Sequence, residues 1–277
     1  MRDILVLSES FKQWSPGIEY AARLAVAFDA HLTGTWICAS PTMAAPSFEA
    51  PDLMAELYDA TRELEEEAYA AGPAFEQRAL EFGLRKASWL VAEGYLPDVL
   101  ALAGSWHDLL VVERTPNTPW GSISAVGNIV LGASLPCLVV PHGAPTHVPS
   151  LETAVIAWNG SAEALRAAHA AMPLLARARR IVILHGEQRP PASMLAWRPP
   201  FDLAGYLLRH GLQAESEMLA GDGDEEVGAA LLRAAERVGA GLLVMGAYGH
   251  TRFREWVLGG ATRYVLEYGR VPLLLRH

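Results

Sequence analysis

One order of elements occurs twice in this chain, at a separation of about 140 residues, and that duplication limits the fold more than any other feature. Both halves open on a short apolar run, Ile4-Leu5-Val6-Leu7 in the first and residues 153–158 in the second. A helical stretch follows each, at 18–28 and at 162–176, and then a second strand is expected, at 31–37 and 181–185. Further on come Leu109-Leu110-Val111-Val112 and Leu242-Leu243-Val244-Met245. Each half closes on a proline-led run, Pro136-Cys137-Leu138-Val139-Val140 and Pro272-Leu273-Leu274-Leu275. Short runs rich in Val, Ile and Leu read as strands buried on both faces. Alternation of such strands with helices demands a parallel sheet with right-handed crossovers.

The two copies are separated by Pro141-His142-Gly143-Ala144-Pro145-Thr146-His147-Val148-Pro149-Ser150, a linker composition. The expected domains are therefore 1–145 and 151–277, with the division near residue 146. Residues 51–82 carry a long helical period. Its Glu63, Glu65, Glu66 and Glu67 fit a solvated face. Residues 188–200 hold four prolines and read as an irregular excursion.

A net charge of −9 excludes a basic nucleic-acid face but not a small anion held by main-chain N–H groups. Two cysteines, Cys38 and Cys137, cannot build a disulfide framework and fit small buried side chains. No metal-ligand spacing, signal peptide or run long enough to span a membrane is present, so a cytoplasmic protein without a membrane partner is expected.

The chemistry concentrates after the run 242–245. There the sequence reads Gly246-Ala247-Tyr248-Gly249-His250, continues through Arg252 and Arg254 to Leu258-Gly259-Gly260-Ala261-Thr262, and then turns helical. Ligands of parallel sheets bind at the carboxyl ends of the strands. A glycine-bearing loop that feeds a helix there presents N–H groups and the positive end of the helix dipole, which suits phosphate. The first copy lacks the pattern: Glu113 stands at the first glycine, Pro116 at the second, and Gly121-Ser122 follows too soon.

Gly-x2-Gly-x9-Gly after the fourth strand, at Gly246, Gly249 and Gly259, resembles the nucleotide-binding signature of the universal stress protein family. The resemblance covers the second half and, more loosely, the first. It implies two tandem α/β domains, each a five-stranded mostly parallel sheet with helices on both faces, packed as a pseudo-dimer through their last strands, with homo-oligomers built on it. It also implies a stress-response binding or signalling module that takes ATP or another adenine nucleotide, with or without Mg, in the second domain. Carried over by position, the site residues are Ala157, Trp158 and Asn159 after the first strand, His185 and Gly186 after the second, and Met245, Gly246, Gly249, His250, Gly259, Gly260, Ala261 and Thr262. This chain has Asn159 where the family has aspartate, Gly186 where it has a small aliphatic residue, and Gly260 where it has Ser or Thr. The last change removes one hydroxyl contact, worth ~1 kcal/mol. No nucleophile or acid–base arrangement is recognisable. A slow ATP hydrolase or nucleotidyl-transferring enzyme of the same fold therefore rests on analogy alone. A ligand-free interaction protein with a vestigial loop is the third reading.

Overall fold

In the computed structural model the described residues are 1–41, 51–116, 118, 121–143, 151–186, 202–219, 224–247 and 259–277. The chain divides into two compact units, Met1–Val148 and Pro149–His277.

The first unit runs β1 (Asp3–Leu7), α1 (Pro16–Phe28), β2 (His31–Cys38), α2 (Pro51–Ala70), α3 (Gly72–Glu81), β3 (Ala87–Glu93), α4 (Leu96–Gly104), β4 (Leu109–Arg114), α5 (Ile123–Gly132) and β5 (Cys137–Pro141). Its strands lie in the order β3-β2-β1-β4-β5, every pair parallel. The second unit runs β6 (Thr153–Trp158), α6 (Ala162–Leu175), β7 (Arg180–His185), α7 (Leu203–Arg209), β8 (Glu215–Met218), α8 (Asp224–Arg237), β9 (Leu242–Gly246), α9 (Gly260–Tyr268) and β10 (Leu273–Arg276). Its order is β8-β7-β6-β9-β10, again all parallel. The registers match as well: Ile4 lies opposite Leu109 in one unit and Ala154 opposite Leu242 in the other. In both, the chain reverses its direction of winding between the first and fourth strands. That reversal opens a crevice at the carboxyl ends of β1 and β4 and of β6 and β9.

The central strands are buried along their length, Ile4, Leu5 and Val6 in β1 and Ala154, Val155 and Ile156 in β6, which explains their unbroken apolar runs. Local chemistry sets the helix ends. Ser15 accepts from the N–H of Ile18 at 3.4 Å with Pro16 as the first residue of α1. Ser161 accepts from the N–H of Ala164 at 3.1 Å at the start of α6. Asp29 closes α1 in the left-handed region at φ 50°, where its N–H reaches the carbonyls of Ala25 and Val26.

One expectation is corrected. The helical stretch 51–82 is two helices, α2 and α3, parted at Ala71. Pro73, in the first turn of α3, has no N–H to continue the ladder of α2. The acidic run on α2 is largely solvated, with Glu63, Glu66 and Glu67 exposed and Glu67 paired to Lys12 at 2.9 Å. Both cysteines are free and buried. Burial and the neighbouring Glu65 push the Cys38 thiol up to about 12, so it stays protonated. Among the described residues no helix is long and apolar enough to cross a membrane.

Gly34 of β2 lies beneath an aromatic layer. A Cβ there would come 2.4 Å from Phe75 and 2.8 Å from Trp89. Replacement of Gly34 by Val would overpack that layer and should cost ~2 kcal/mol, read as a lower denaturation midpoint. An unchanged midpoint would mean that the rings move aside freely.

Candidate functional site

In the second unit, Ala157 and Trp158 end β6 and are half-buried, and Asn159 and Gly160 follow, both exposed. The Asn159 carboxamide accepts from the N–H of Ser161 at 3.0 Å, and Gly160 turns the chain at φ +75°. His185 ends β7, half-buried, with Gly186 exposed behind it. Met245 is buried in β9 opposite Leu275, and Gly246 is the last residue of that strand. Gly259 caps α9, Gly260 and Ala261 form its first turn, and Thr262 is buried. Gly249, His250, Arg252 and Arg254, like the proline-rich stretch 188–200, lie outside the described residues.

Three of these residues come together around a cavity of about 410 Å³. Trp158, His185 and Gly186 line it at the carboxyl ends of β6 and β7, with Asp202, Ser216 and Met218. Register explains the grouping: Trp158 lies opposite His185, and His185 opposite Met218, so the three side chains share one sheet face. Asp202 belongs to the cap of α7, where its carboxylate accepts from the N–H of Gly205 at 2.5 Å. Sequence reading missed Asp202, Ser216 and Met218. The short exposed strand β8 carries Glu215 and Glu217 and has no apolar run to announce it.

Gly246 has a different neighbour from the one its sequence position suggests. A Cβ there would lie 2.6 Å from the backbone nitrogen of Ala164 and 2.7 Å from the carbonyl carbon of Glu163. The missing side chain lets the end of β9 meet the first turn of α6, a helix-to-strand contact that only glycine permits.

In the first unit the same contact is built the other way round. Glu113 of β4 occupies the register position of Gly246, and the helix supplies the glycine. A Cβ on Gly17 would lie 2.6 Å from that of Glu113, and the buried Glu113 carboxylate accepts from the N–H of Gly17 at 2.7 Å. The chain's own anion thus sits on the N-terminal turn of α1. His142 Nδ1 stands 3.7 Å from the other oxygen of Glu113. The register counterpart of Asn159 is Glu9, which accepts from the Thr118 hydroxyl at 2.7 Å. The loop leading to α5 is folded on itself, with the N–H of Gly121 donating to Thr118 and a Gly121 Cβ excluded by Thr115.

The helix starts differ too. Ser122 caps α5 and accepts from the N–H of Ala125 at 3.1 Å, whereas Gly259 brings no side chain to the cap of α9. Among the described residues no group of three or more His, Cys, Asp or Glu could hold a metal.

Burial raises the Glu9 carboxyl above its ordinary value of 4.5; the Thr118 hydrogen bond opposes the shift and the Glu113 carboxylate adds to it. A folded-state pKa above the unfolded one contributes stability below the unfolded value that is lost as pH rises through the folded value. Glu9→Gln should therefore raise the melting temperature at neutral pH, and the gain should vanish as pH falls below 4.5. Melting curves across pH test this, and a gain independent of pH would contradict it.

Comparison with known proteins bears on the same two units. The model of the family described as "Universal stress protein family" matches residues 151–277. A curated universal stress protein of Synechocystis sp. is 27% identical over 198 residues, which are 69% of this chain and 66% of the relative, just under two thirds of its length. The crystal structure of a universal stress protein from Archaeoglobus fulgidus covers 99% of this chain and 95% of its own at a TM-score of 0.65 and 15% identity. That of a functionally unknown protein from Pseudomonas aeruginosa covers 99% and 92% at 0.58 and 16%. Both structures share the fold over both units. Residues 151–277 accordingly belong to the universal stress protein family, and the chain carries that family's domain behind a first unit of the same strand order.

Proposed function

We propose that the chain is a stress-response binding module whose second unit takes one adenine nucleotide. The base enters the cavity at the ends of β6, β7 and β8, against Trp158 and His185, and Asp202 and Ser216 meet its polar edge. The phosphates reach the glycine loop and the start of α9. The observation that carries this reading is the difference in caps. Ser122 caps α5 with its hydroxyl, whereas the cap residue of α9, Gly259, brings no side chain to the first turn. A helix of 9 residues that opens on glycine beside a crevice of the sheet offers its dipole to an external anion. Mg, where present, would come with the phosphates. The stress-response role follows family membership of residues 151–277.

The test exploits the cap itself. A Cβ on Gly259 would meet nothing within 4 Å, and its φ of −55° is open to any residue, so Gly259→Asp folds without strain. The new carboxylate should cap α9 and raise stability by ~1 kcal/mol. In the same variant it should repel phosphate and weaken ATP at least tenfold in calorimetry. Unchanged ATP affinity alongside the stability gain would remove α9 from the site.

A further inference from the structure

The helix that joins the third strand to the fourth shows solvent a different face in each unit. In the second unit this helix is α8, and its exposed side chains, among those described, are Glu226, Arg233, Glu236 and Arg237. All are charged, as befits the outer side of an amphipathic helix. In the first unit it is α4, which buries Leu96, Leu100 and Gly104. Its other side carries Tyr95 at the cap, Leu102, and Trp106 in the turn beyond, which are 48%, 73% and 81% exposed. Half-buried Val99 lies between them.

Positions 95, 99, 102 and 106 share one helical face. The backbone keeps turning at both ends, as the N–H of Val99 donates to the carbonyl of Tyr95 at 3.1 Å and that of Trp106 to the carbonyl of Ala103 at 3.2 Å. The four residues therefore form a stripe about 16 Å long. A helix that is apolar on both sides fits a place with a partner on each. Asp98 is the one charged residue between Tyr95 and Trp106, and no Lys or Arg occurs from Ala87 to Glu113. The neighbouring α5, whose Gly132 would bring a Cβ within 2.7 Å of Pro97, has no charged residue.

Charge and order together select the partner. Along the stripe a basic segment would find only Asp98, and an anionic surface would find nothing. An apolar, uncharged face fits, and this chain carries one in the stripe itself. Read from either end, the stripe is aromatic, aliphatic, aliphatic, aromatic. A second copy laid antiparallel about a two-fold axis sets Trp106 against Tyr95 and Leu102 against Val99, twice over. Asp98 then falls opposite Ala103, so the two acids do not meet. A net charge of −9 opposes self-association where like charges face each other, and this face adds almost none. Four side chains along a single helix bury well under the ~800 Å² per partner of a standard interface, so the contact is weak and concentration-dependent. We propose that two copies of this chain associate through the outer faces of α4, antiparallel about a two-fold axis.

Sedimentation velocity of the full-length chain, without nucleotide and from micromolar to millimolar concentration, should show a reversible monomer–dimer equilibrium. Leu102→Asp and Leu102→Lys place a charge at an exposed position, which leaves the core untouched. Each should weaken dimerisation at least tenfold, and Trp106→Ala should weaken it as well. Melting curves at dilution, where the unaltered chain is monomeric, should coincide for all four proteins. An equimolar mixture of the two Leu102 variants should form dimers at concentrations where neither does alone, because residue 102 lies near its own counterpart at the axis. A monomer throughout the range, a dimer indifferent to the Leu102 and Trp106 variants, or a mixture that stays monomeric would each overturn the proposal.

Discussion

The site in each unit depends on how closely the fourth strand can approach the first helix. In both sheets that contact closes one side of the crevice made by the reversal of winding, and both versions tolerate a side chain on one partner only. Gly246 surrenders its side chain so that β9 can reach Glu163 and Ala164. In the first unit Gly17 surrenders it instead, and Glu113 fills the space and bonds to the helix. One steric constraint is solved from opposite sides, and in the first unit the protein's own carboxylate, Glu113, occupies the crevice.

From that divergence the rest of the asymmetry follows. In the first unit the Glu113 carboxylate bonds to the start of α1, Glu9 accepts from Thr118, and Ser122 caps α5. The second unit has Asn159 and Gly259 at the matching places, neither of them charged. Phe75 and Trp89 pack tightly over Gly34 in the first unit.

Much of this was legible in residue order. Seven strands announced themselves by unbroken apolar runs, because burial on both faces leaves no polar alternation to confuse the reading, and β2 was legible by its place in the repeat despite Thr33 and Thr35. The edge strand β8 did not, since polar Glu215–Met218 carries no such run, and half-exposed β3 went unread although its Trp89-Leu90-Val91-Ala92 is apolar. Gly246 was legible as indispensable, but not its reason, because a glycine required by a helix and one required by a ligand look alike in sequence. The role of Glu113 was half-read: its charge opposes phosphate, but its bond to Gly17, 96 residues away, is a tertiary fact. Ser216 and Met218 were invisible for the same reason, as only the register of β7 with β8 brings them to the cavity that Trp158 lines, and Asp202 reaches it from the cap of α7.

The account as a whole turns on a single nucleotide site per chain, and counting is the most direct way to test it. Equilibrium dialysis of the full-length protein against radiolabelled ATP should saturate at one molecule per chain. Saturation at two would mean that Glu113 and Ser122 do not close the first unit to phosphate, and no retention at all would show that the glycine loop of the second unit holds no nucleotide.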